Sequence, residues 1–173
     1  KELDQDVVVA QINQTQVSAI EFLQSVLVQF GFQPFRMKKA ELLSTLNEFL
    51  VEQYANGRRV LLIVDEAQNL SNKVLEEIRL LSNLESNRHK LLQIVLFGQP
   101  ELNDILSRNE MRQLKERITH NFTLEPLVRA DIAQYISFRM RAAGFKGPDV
   151  FSPAALKQIS AASLGLTRRI NIL

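Results

Sequence analysis

The sequence predicts an α/β protein in which helices flank a parallel sheet and a smaller helical part follows. The first observation is the apolar run that opens residues 60–70, VLLIVDEAQNL. It is continuous and of strand length, which is typical of a parallel strand covered by helices on both faces. Secondly, the apolar runs at residues 6–13 and 91–97 are each followed by a helical pattern. Thirdly, only helical patterns follow residue 126.

The first strand and helix are predicted by the run DVVVAQIN at residues 6–13 and the segment after it. Ser18 and Glu21 have capping-box spacing, so we expect a helix to begin there. Gly31 is suited to end this helix in the left-handed conformation. The apolar residues of the helix recur on one face and are expected in the core: Phe22, Leu23, Val26, Leu27 and Phe30.

A second helix is predicted over residues 38–54, ending at Asn56-Gly57 just before the central strand. After the central strand, Ser71 is a suitable cap for a third helix, which we expect to end near Ser86-Asn87. The second helix is expected to turn inward Leu42, Leu43, Leu46, Phe49 and Leu50.

The strand at residues 91–97 leads into Gly98-Gln99-Pro100-Glu101, which turns the chain into another helix. Pro100 is there at a favoured first helical position. A short, charged helix is expected over residues 109–117. Residues 118–124 alternate between apolar and polar side chains, which predicts the last strand of the sheet.

Glu125-Pro126 interrupts the pattern, and we place the domain boundary there. Residues 1–126 then form the α/β part, and residues 127–173 form a small helical lid. The predicted helices of the lid run from Asp131 to Gly144, from Ser152 to Gly165 and onwards from Thr167.

The composition argues against several kinds of site. The formal net charge is +2 and the pI about 9.1, which by itself does not indicate nucleic-acid binding. The chain has no cysteine, so disulfides and thiolate metal sites are excluded. His89 and His120 lie far apart in the sequence, which makes zinc improbable. We expect a cytoplasmic protein, because no run approaches the roughly 20 apolar residues of a membrane span and no signal peptide precedes the chain.

Two adjacent carboxylates, Asp65 and Glu66, follow the central strand, at the edge where open α/β sheets bind ligands. The first can hold Mg²⁺, and the second can orient or deprotonate a water that attacks a γ-phosphate. This is the Walker B arrangement. The alternative is that both acids favour the start of a helix, where its dipole prefers negative charge. Gln99 is expected at the same edge, where its amide either bonds a phosphate or the attacking water, or satisfies the turn.

Five segments are found in order along the chain: VLLIVDEAQNL, LFGQPEL, KERIT, EPL and GLTRRIN. Together they resemble the AAA+ ATPases of the general secretion pathway protein A type, which include the ATPase of mannose-sensitive haemagglutinin (MSHA) pilus biogenesis. The resemblance covers essentially the whole chain, and the pair DEAQNL and FGQPEL is rather specific. It implies a P-loop NTPase (AAA+) fold with a C-terminal helical lid.

The resemblance also implies roles for residues at the sheet edge. Asp65 is similar to the Mg²⁺-associated Walker B acid, and Glu66 to the catalytic glutamate that polarises water. Gln99 looks like the sensor 1 position.

Two arginines are implied to act on phosphates. Arg117 is similar to an arginine finger, which would reach the γ-phosphate bound by a neighbouring subunit, and Arg112 is the alternative finger. Arg168 looks like the sensor 2 arginine of the lid. Because Thr167 stands where the family usually has proline, Arg169 competes with Arg168. For each arginine the alternative is a solvated charge on a helix face.

The phosphate-binding loop that such an ATPase needs, G-x-x-x-x-G-K-[ST], does not occur in the chain. In the family's sheet, the strand before this loop lies between the strands predicted here at residues 91–97 and 118–124. We therefore expect an ATPase truncated at its amino end, whose sheet lacks its first strand. The chain alone should bind Mg-ATP weakly without turning it over. Its unpaired strand edges should favour non-native pairing or dimerisation through the last strand.

The resemblance implies an ATP hydrolase with ATP and Mg²⁺ as cofactors, which forms homo-oligomers through the arginine finger. The parent protein would drive assembly of a type II secretion or type IV (MSHA) pilus apparatus at the cytoplasmic face of the bacterial inner membrane, with a membrane-bound partner protein. One alternative is a nucleotide-gated DNA-binding ATPase like the transposition helpers. Its contacts to DNA phosphates would come from Arg108, Arg112, Lys115 and Arg117, or from Arg139 and Arg141 of the lid. The other is a scaffold that does not hydrolyse ATP.

Overall fold

The computed structural model describes residues 6–86, 89–148 and 150–173. The contacts divide the chain into two compact units, residues 1–120 and 121–173, whereas the sequence placed the boundary between residues 126 and 127. In chain order the elements are β1 (Val7–Ile12), α1 (Ala19–Gln29), α2 (Lys39–Ala55), β2 (Arg59–Val64), α3 (Asn72–Leu81), β3 (Glu85–Ser86), β4 (His89–Lys90), β5 (Leu92–Leu96), α4 (Glu101–Leu106), α5 (Arg112–Lys115), α6 (Arg129–Ala142), α7 (Pro153–Ser163) and α8 (Thr167–Ile170).

A parallel sheet with the order β1-β2-β5 lies at the centre of the first unit. In its register Val8 pairs with Val60, and Val60 pairs with Leu92. The predicted α/β class, with a parallel sheet flanked by helices, is therefore confirmed. Strand β2 is central because its apolar run can be buried against neighbours on both sides. The large side chains that pack most completely in this unit include Phe22, Leu23, Leu27, Leu42, Leu46, Leu50, Leu62, Leu75, Ile78 and Leu81.

Side-chain caps begin two of the helices where the sequence predicts them. The Ser18 hydroxyl accepts a hydrogen bond from the Glu21 amide (3.3 Å), and the Glu21 carboxylate accepts one from the Ser18 amide (2.7 Å). This reciprocal pair is the predicted capping box of α1. The Ser71 hydroxyl accepts a hydrogen bond from the Val74 amide (3.4 Å) at the start of α3.

The end of α3 differs from the prediction. The helix ends at Leu81, before the predicted end near Ser86-Asn87, of which Asn87 lies outside the described residues. The Ser82 hydroxyl donates to the Arg79 carbonyl (2.6 Å), which draws the chain into a turn. Glu85 then pairs with Lys90 in the antiparallel β3–β4 hairpin, so this segment extends as strand instead of continuing the helix.

The predicted last strand, residues 118–124, is wrong. Among the described residues this segment pairs with no strand, and the side chains of Phe122 and Leu124 are 81% and 89% exposed. Alternating apolar and polar residues indicate that a segment could form one buried and one solvated face. A strand also needs a neighbouring strand that makes hydrogen bonds with its backbone amides and carbonyls. Among the described residues, β5 pairs with β2 alone, so no strand offers residues 118–124 such a neighbour.

The second unit contains α6, α7 and α8, at the positions where the sequence predicts helices. The Ser152 hydroxyl accepts a hydrogen bond from the Ala155 amide (3.2 Å) and so caps α7. After α7, Leu164 and Gly165 take positive φ angles of 52° and 75°, and the Gly165 carbonyl accepts a hydrogen bond from the Leu127 amide (2.9 Å). Within the described part of the chain, no helix is long and apolar enough to cross a membrane.

Candidate functional site

Backbone hydrogen bonds join the segments that follow the three strands of the sheet. Past β2, the Asp65 amide donates to the Ile12 carbonyl at the end of β1 (2.9 Å). Past β5, the Phe97 amide donates to the Val64 carbonyl (2.8 Å), and the Phe97 carbonyl accepts a hydrogen bond from the Ala67 amide (2.8 Å). The sheet thus holds the DEAQ segment at its carboxyl edge, as the sequence predicts.

Asp65 and Glu66 differ in their surroundings. Asp65 is half-buried, and its Oδ1 accepts a hydrogen bond from the Glu66 amide (2.9 Å). Glu66 is exposed and has a left-handed backbone with φ of 51°. For a residue with a Cβ this conformation costs about 1–2 kcal/mol. Strain of this kind is common where a side chain must be held in a functional direction.

Gln68 lies between the two strand ends. Its side-chain amide donates to Glu66 Oε2 (2.6 Å), and its Oε1 accepts a hydrogen bond from the Gln99 backbone amide (3.1 Å). Gln68 belongs to the DEAQNL segment, but the resemblance implies no role for it. Its position two residues after Glu66 was the available signal, but the partner across the sheet is 31 residues away in sequence.

Gln99 lies at the same edge as the two carboxylates, as the sequence predicts. The backbone amide of Gln99 donates to Gln68 Oε1, while the Gln99 side chain is exposed. Gly98 allows the close approach, because a Cβ there would lie 3.2 Å from Gln68 Oε1 and 2.8 Å from Leu102 Cδ2. The role of the Gln99 amide as sensor stays a prediction.

Arg117 is not brought together with Asp65 and Glu66. Its charge helps to lower the pKa of Glu85, for which the hydrogen bond and charge of Lys90 are the larger causes. Glu85 belongs to the hairpin before β5, at the amino end of that strand. Among the described residues, no hydrogen bond or ion pair joins Arg117 to either carboxylate.

The alternative finger, Arg112, makes a hydrogen-bonded ion pair with Glu116 on the next helical turn (2.9 Å). Both arginines are exposed, but among the described residues no such ion pair holds the Arg117 guanidinium. Arg168 and Arg169 lie on α8 in the second unit, where both are exposed. Which of the two acts as sensor 2 stays a prediction.

The donor set suits Mg²⁺ shared with a nucleotide. Mg²⁺ is usually held by one or two carboxylates together with substrate phosphates and waters. Asp65 offers one such carboxylate, and its Oδ1 already accepts the Glu66 amide proton. In the described ranges no cluster of three or more acidic or histidine side chains could hold a metal by itself. The residues present therefore fit a magnesium ion that needs phosphate oxygens to complete its shell.

A separate cleft of about 370 Å³ lies beside the end of β1. Five of its eleven lining residues carry neutral amides, and the others include Glu21 and Phe35. Neither Asp65 nor Glu66 lines it.

Comparison with known proteins agrees with this geometry. Residues 1–106 match the family described as the AAA domain. Over 132 residues the chain is 43% identical to general secretion pathway protein A of Aeromonas hydrophila; the match covers 76% of this chain and 24% of that relative. The chain thus spans about a quarter of the relative's length.

Two solved structures have a similar fold. Cdc6p from Pyrobaculum aerophilum is 18% identical with a TM-score of 0.65, over 92% of this chain and 42% of that one. The ORC2 protein of Aeropyrum pernix in its ADP form is 17% identical with a TM-score of 0.60, over 88% and 41%. At these identities the likeness concerns the fold alone. The fold is the α/β P-loop NTPase type, and the chain belongs to the AAA domain family, with general secretion pathway protein A as a relative.

Proposed function

We propose that the protein hydrolyses ATP at the carboxyl end of β2, with Glu66 as the carboxylate that activates the attacking water. The observation that carries this proposal is the Asp65-Glu66 pair at the end of the central parallel strand, where the Gln68 side chain links Glu66 to the Gln99 amide past the end of β5. Family membership supports it, because AAA domains belong to the ATPases that use a Walker B acid pair.

The two carboxylates would have different roles, because their surroundings differ. Half-buried Asp65 would hold Mg²⁺, which when bound neutralises charge on the nucleotide phosphates. Glu66 is exposed at the edge, where it can accept a hydrogen bond or a proton from water. Gln99, across the strand ends, would orient the same water or a phosphate oxygen.

Arg117 would act on the nucleotide of a neighbouring subunit. What supports this is that its charge acts on Glu85, in the hairpin before β5, and that no hydrogen bond or ion pair among the described residues joins it to Asp65 or Glu66. A homo-oligomer follows from this role. Arg168 of the lid would lie over the phosphates when nucleotide is bound, with Arg169 as its competitor.

The biological setting that we propose is the assembly of a type II secretion or type IV (MSHA) pilus apparatus. It would take place at the cytoplasmic face of the inner membrane with a membrane-bound partner. The identity of 43% to general secretion pathway protein A supports this setting. Since the chain contains no G-x-x-x-x-G-K-[ST], we propose that these 173 residues alone bind Mg-ATP weakly and do not hydrolyse it; micromolar affinity in a titration would contradict this.

The test of hydrolysis is phosphate release from Mg-ATP by the protein extended upstream through a P-loop. Glu66→Gln should lower the rate at least about 10²-fold, because the amide cannot take a proton from water. Glu52→Gln is the matched control, since Glu52 is exposed on α2 and the same charge is removed. Equal, negligible rates in the parent and in Glu66→Gln would contradict hydrolysis and favour a scaffold.

A further inference from the structure

Gln68 connects the proposed catalytic carboxylate to the neighbouring strand. One end of its amide group donates to Glu66 Oε2 (2.6 Å), and the other end accepts from the Gln99 backbone amide (3.1 Å). A primary amide is suited to this bridge, because it carries a donor and an acceptor on adjacent atoms. The two bonds together fix the direction in which the carboxylate points relative to the end of β5.

The backbone around Gln68 is held in place independently of its side chain. Ala67 is fully buried, and its amide donates to the Phe97 carbonyl (2.8 Å). The Asn69 amide donates to the Glu66 carbonyl (3.0 Å), which closes the short 3₁₀ turn Ala67–Asn69. Gly98 leaves room for the side-chain oxygen Oε1 of Gln68. Removing the Gln68 side chain should therefore free Glu66 without unfolding the turn.

We infer that Gln68 is a positioning residue that holds the Glu66 carboxylate in its reactive orientation and makes that orientation depend on the end of β5. This inference rests on the proposed ATP hydrolysis. Gln68 acts through Glu66, because its recorded polar contacts are with Glu66 and Gln99. A shift of the Gln99 backbone away from Gln68 breaks one bond of the bridge and loosens the carboxylate.

The kinetic test uses the P-loop-containing protein in four forms: parent, Gln68→Ala, Glu66→Gln and the double variant. In Gln68→Ala, kcat should fall about 10-fold to 100-fold, as for other residues that orient a reacting group. The KM for ATP should change by less than about 2-fold, because Gln68 supports the carboxylate and not nucleotide binding. In the Glu66→Gln background, Gln68→Ala should cause no further loss, since both changes remove the same function.

Asn69→Ala is the matched control. Asn69 is the next residue of the same turn and is exposed, so its truncation should leave kcat near that of the parent. Equal losses in Asn69→Ala and Gln68→Ala would show that the turn, rather than the bridge, matters, and would overturn the inference.

A second measurement needs only the 173 residues. Amide hydrogen exchange at Gln99 should accelerate in Gln68→Ala, because the acceptor of that amide proton is lost. Exchange at the Phe97 amide, which donates to the Val64 carbonyl, should stay unchanged. Unchanged exchange at Gln99 would mean that the bridge does not form.

The outcomes separate the inference from the proposed function. If the parent releases no more phosphate than Glu66→Gln, the proposed hydrolysis fails and the inference fails with it. If the parent is active and Glu66→Gln is not, but Gln68→Ala matches the parent, the inference alone is overturned. It is also overturned if Gln68→Ala lowers the rate by the same factor with and without Glu66.

Discussion

Gly165 has to be glycine for two independent reasons. Its φ is 75°, and a Cβ would lie 2.2 Å from the Leu127 carbonyl oxygen, a backbone atom that cannot rotate away. Gly165 precedes α8, so the same turn sets the start of the helix that carries Arg168.

Gly165→Ala should therefore destabilise the second unit more than Gly144→Ala does. Gly144 has a similar φ of 92°, but its added Cβ would meet no atom within 4 Å. Gly144→Ala should cost about 1–2 kcal/mol from the left-handed backbone alone. Gly165→Ala should cost at least about 2 kcal/mol more, because of the overlap with the backbone. Urea denaturation, monitored by hydrogen exchange of the α7 amides, measures the cost of each substitution. Equal costs would contradict the predicted overlap with the Leu127 carbonyl oxygen.

Exposed carboxylates predict how stability responds to acid. Hydrogen bonds lower the pKa values of Glu21, Glu76 and Glu85; the largest causes are the Ser18 amide, the Arg79 guanidinium and the Lys90 ammonium, respectively. A carboxylate with a lower pKa in the folded state binds fewer protons there than in the unfolded state. Its contribution is complete above its ordinary pKa of 4.5 and is lost as the pH falls through the folded value.

The free energy of unfolding should thus decline as the pH falls below 4.5, and less steeply in Glu76→Gln. Glu76 accepts two hydrogen bonds from Arg79, at 2.8 and 2.6 Å. Glu52→Gln serves as the control, because it removes an exposed carboxylate without this guanidinium contact. Urea midpoints across the pH range measure the slopes. Identical slopes in the parent and in Glu76→Gln would contradict the assignment.

At the scale of elements, the outer edge of β5 is open among the described residues, because β5 pairs with β2 alone. Val95 and Phe97 are 38% and 49% exposed there. An apolar edge with unpaired backbone groups is a template for another chain. We expect concentration-dependent association that Val95→Lys reduces, because a charge disfavours strand pairing. Sedimentation velocity at several concentrations measures this association. Val51→Lys is the control, because Val51 is exposed on α2. A parent that is monomeric at all concentrations would contradict the expectation.

Whether a strand could be predicted from the sequence depended on whether its own residues or a pairing partner decide its formation. Strand β2 was predictable because burial on both faces requires a continuous apolar run. Asp65, Glu66 and Gln99 were predictable at one edge of the sheet because parallel strands end there together. Residues 118–124 were not, because pairing depends on a partner and not on the segment itself. The bridge through Gln68 depends on side-chain geometry between segments 31 residues apart, which no local pattern encodes.

At the scale of the whole molecule, the finger role proposed for Arg117 predicts shared active sites. In the P-loop-containing protein, Arg117→Ala and Glu66→Gln should each lower ATP turnover, by about 10³-fold or more for the finger. Mixing the two variants should restore part of the activity, since an intact Glu66 can face an intact Arg117 of the neighbouring subunit. Arg112→Ala is the control for the alternative finger. No recovery on mixing would contradict a role of Arg117 in trans.

The most direct test of the central claim, that the carboxyl end of β2 is a centre of ATP hydrolysis, is the identity of the nucleotide that the protein retains. The P-loop-containing protein is incubated with labelled Mg-ATP and separated from free nucleotide, and the bound label is analysed. The account predicts ADP in the parent and in Glu52→Gln, and intact ATP in Glu66→Gln, because binding survives while water activation is lost. Intact ATP in all three, or ADP in all three, would contradict the claim.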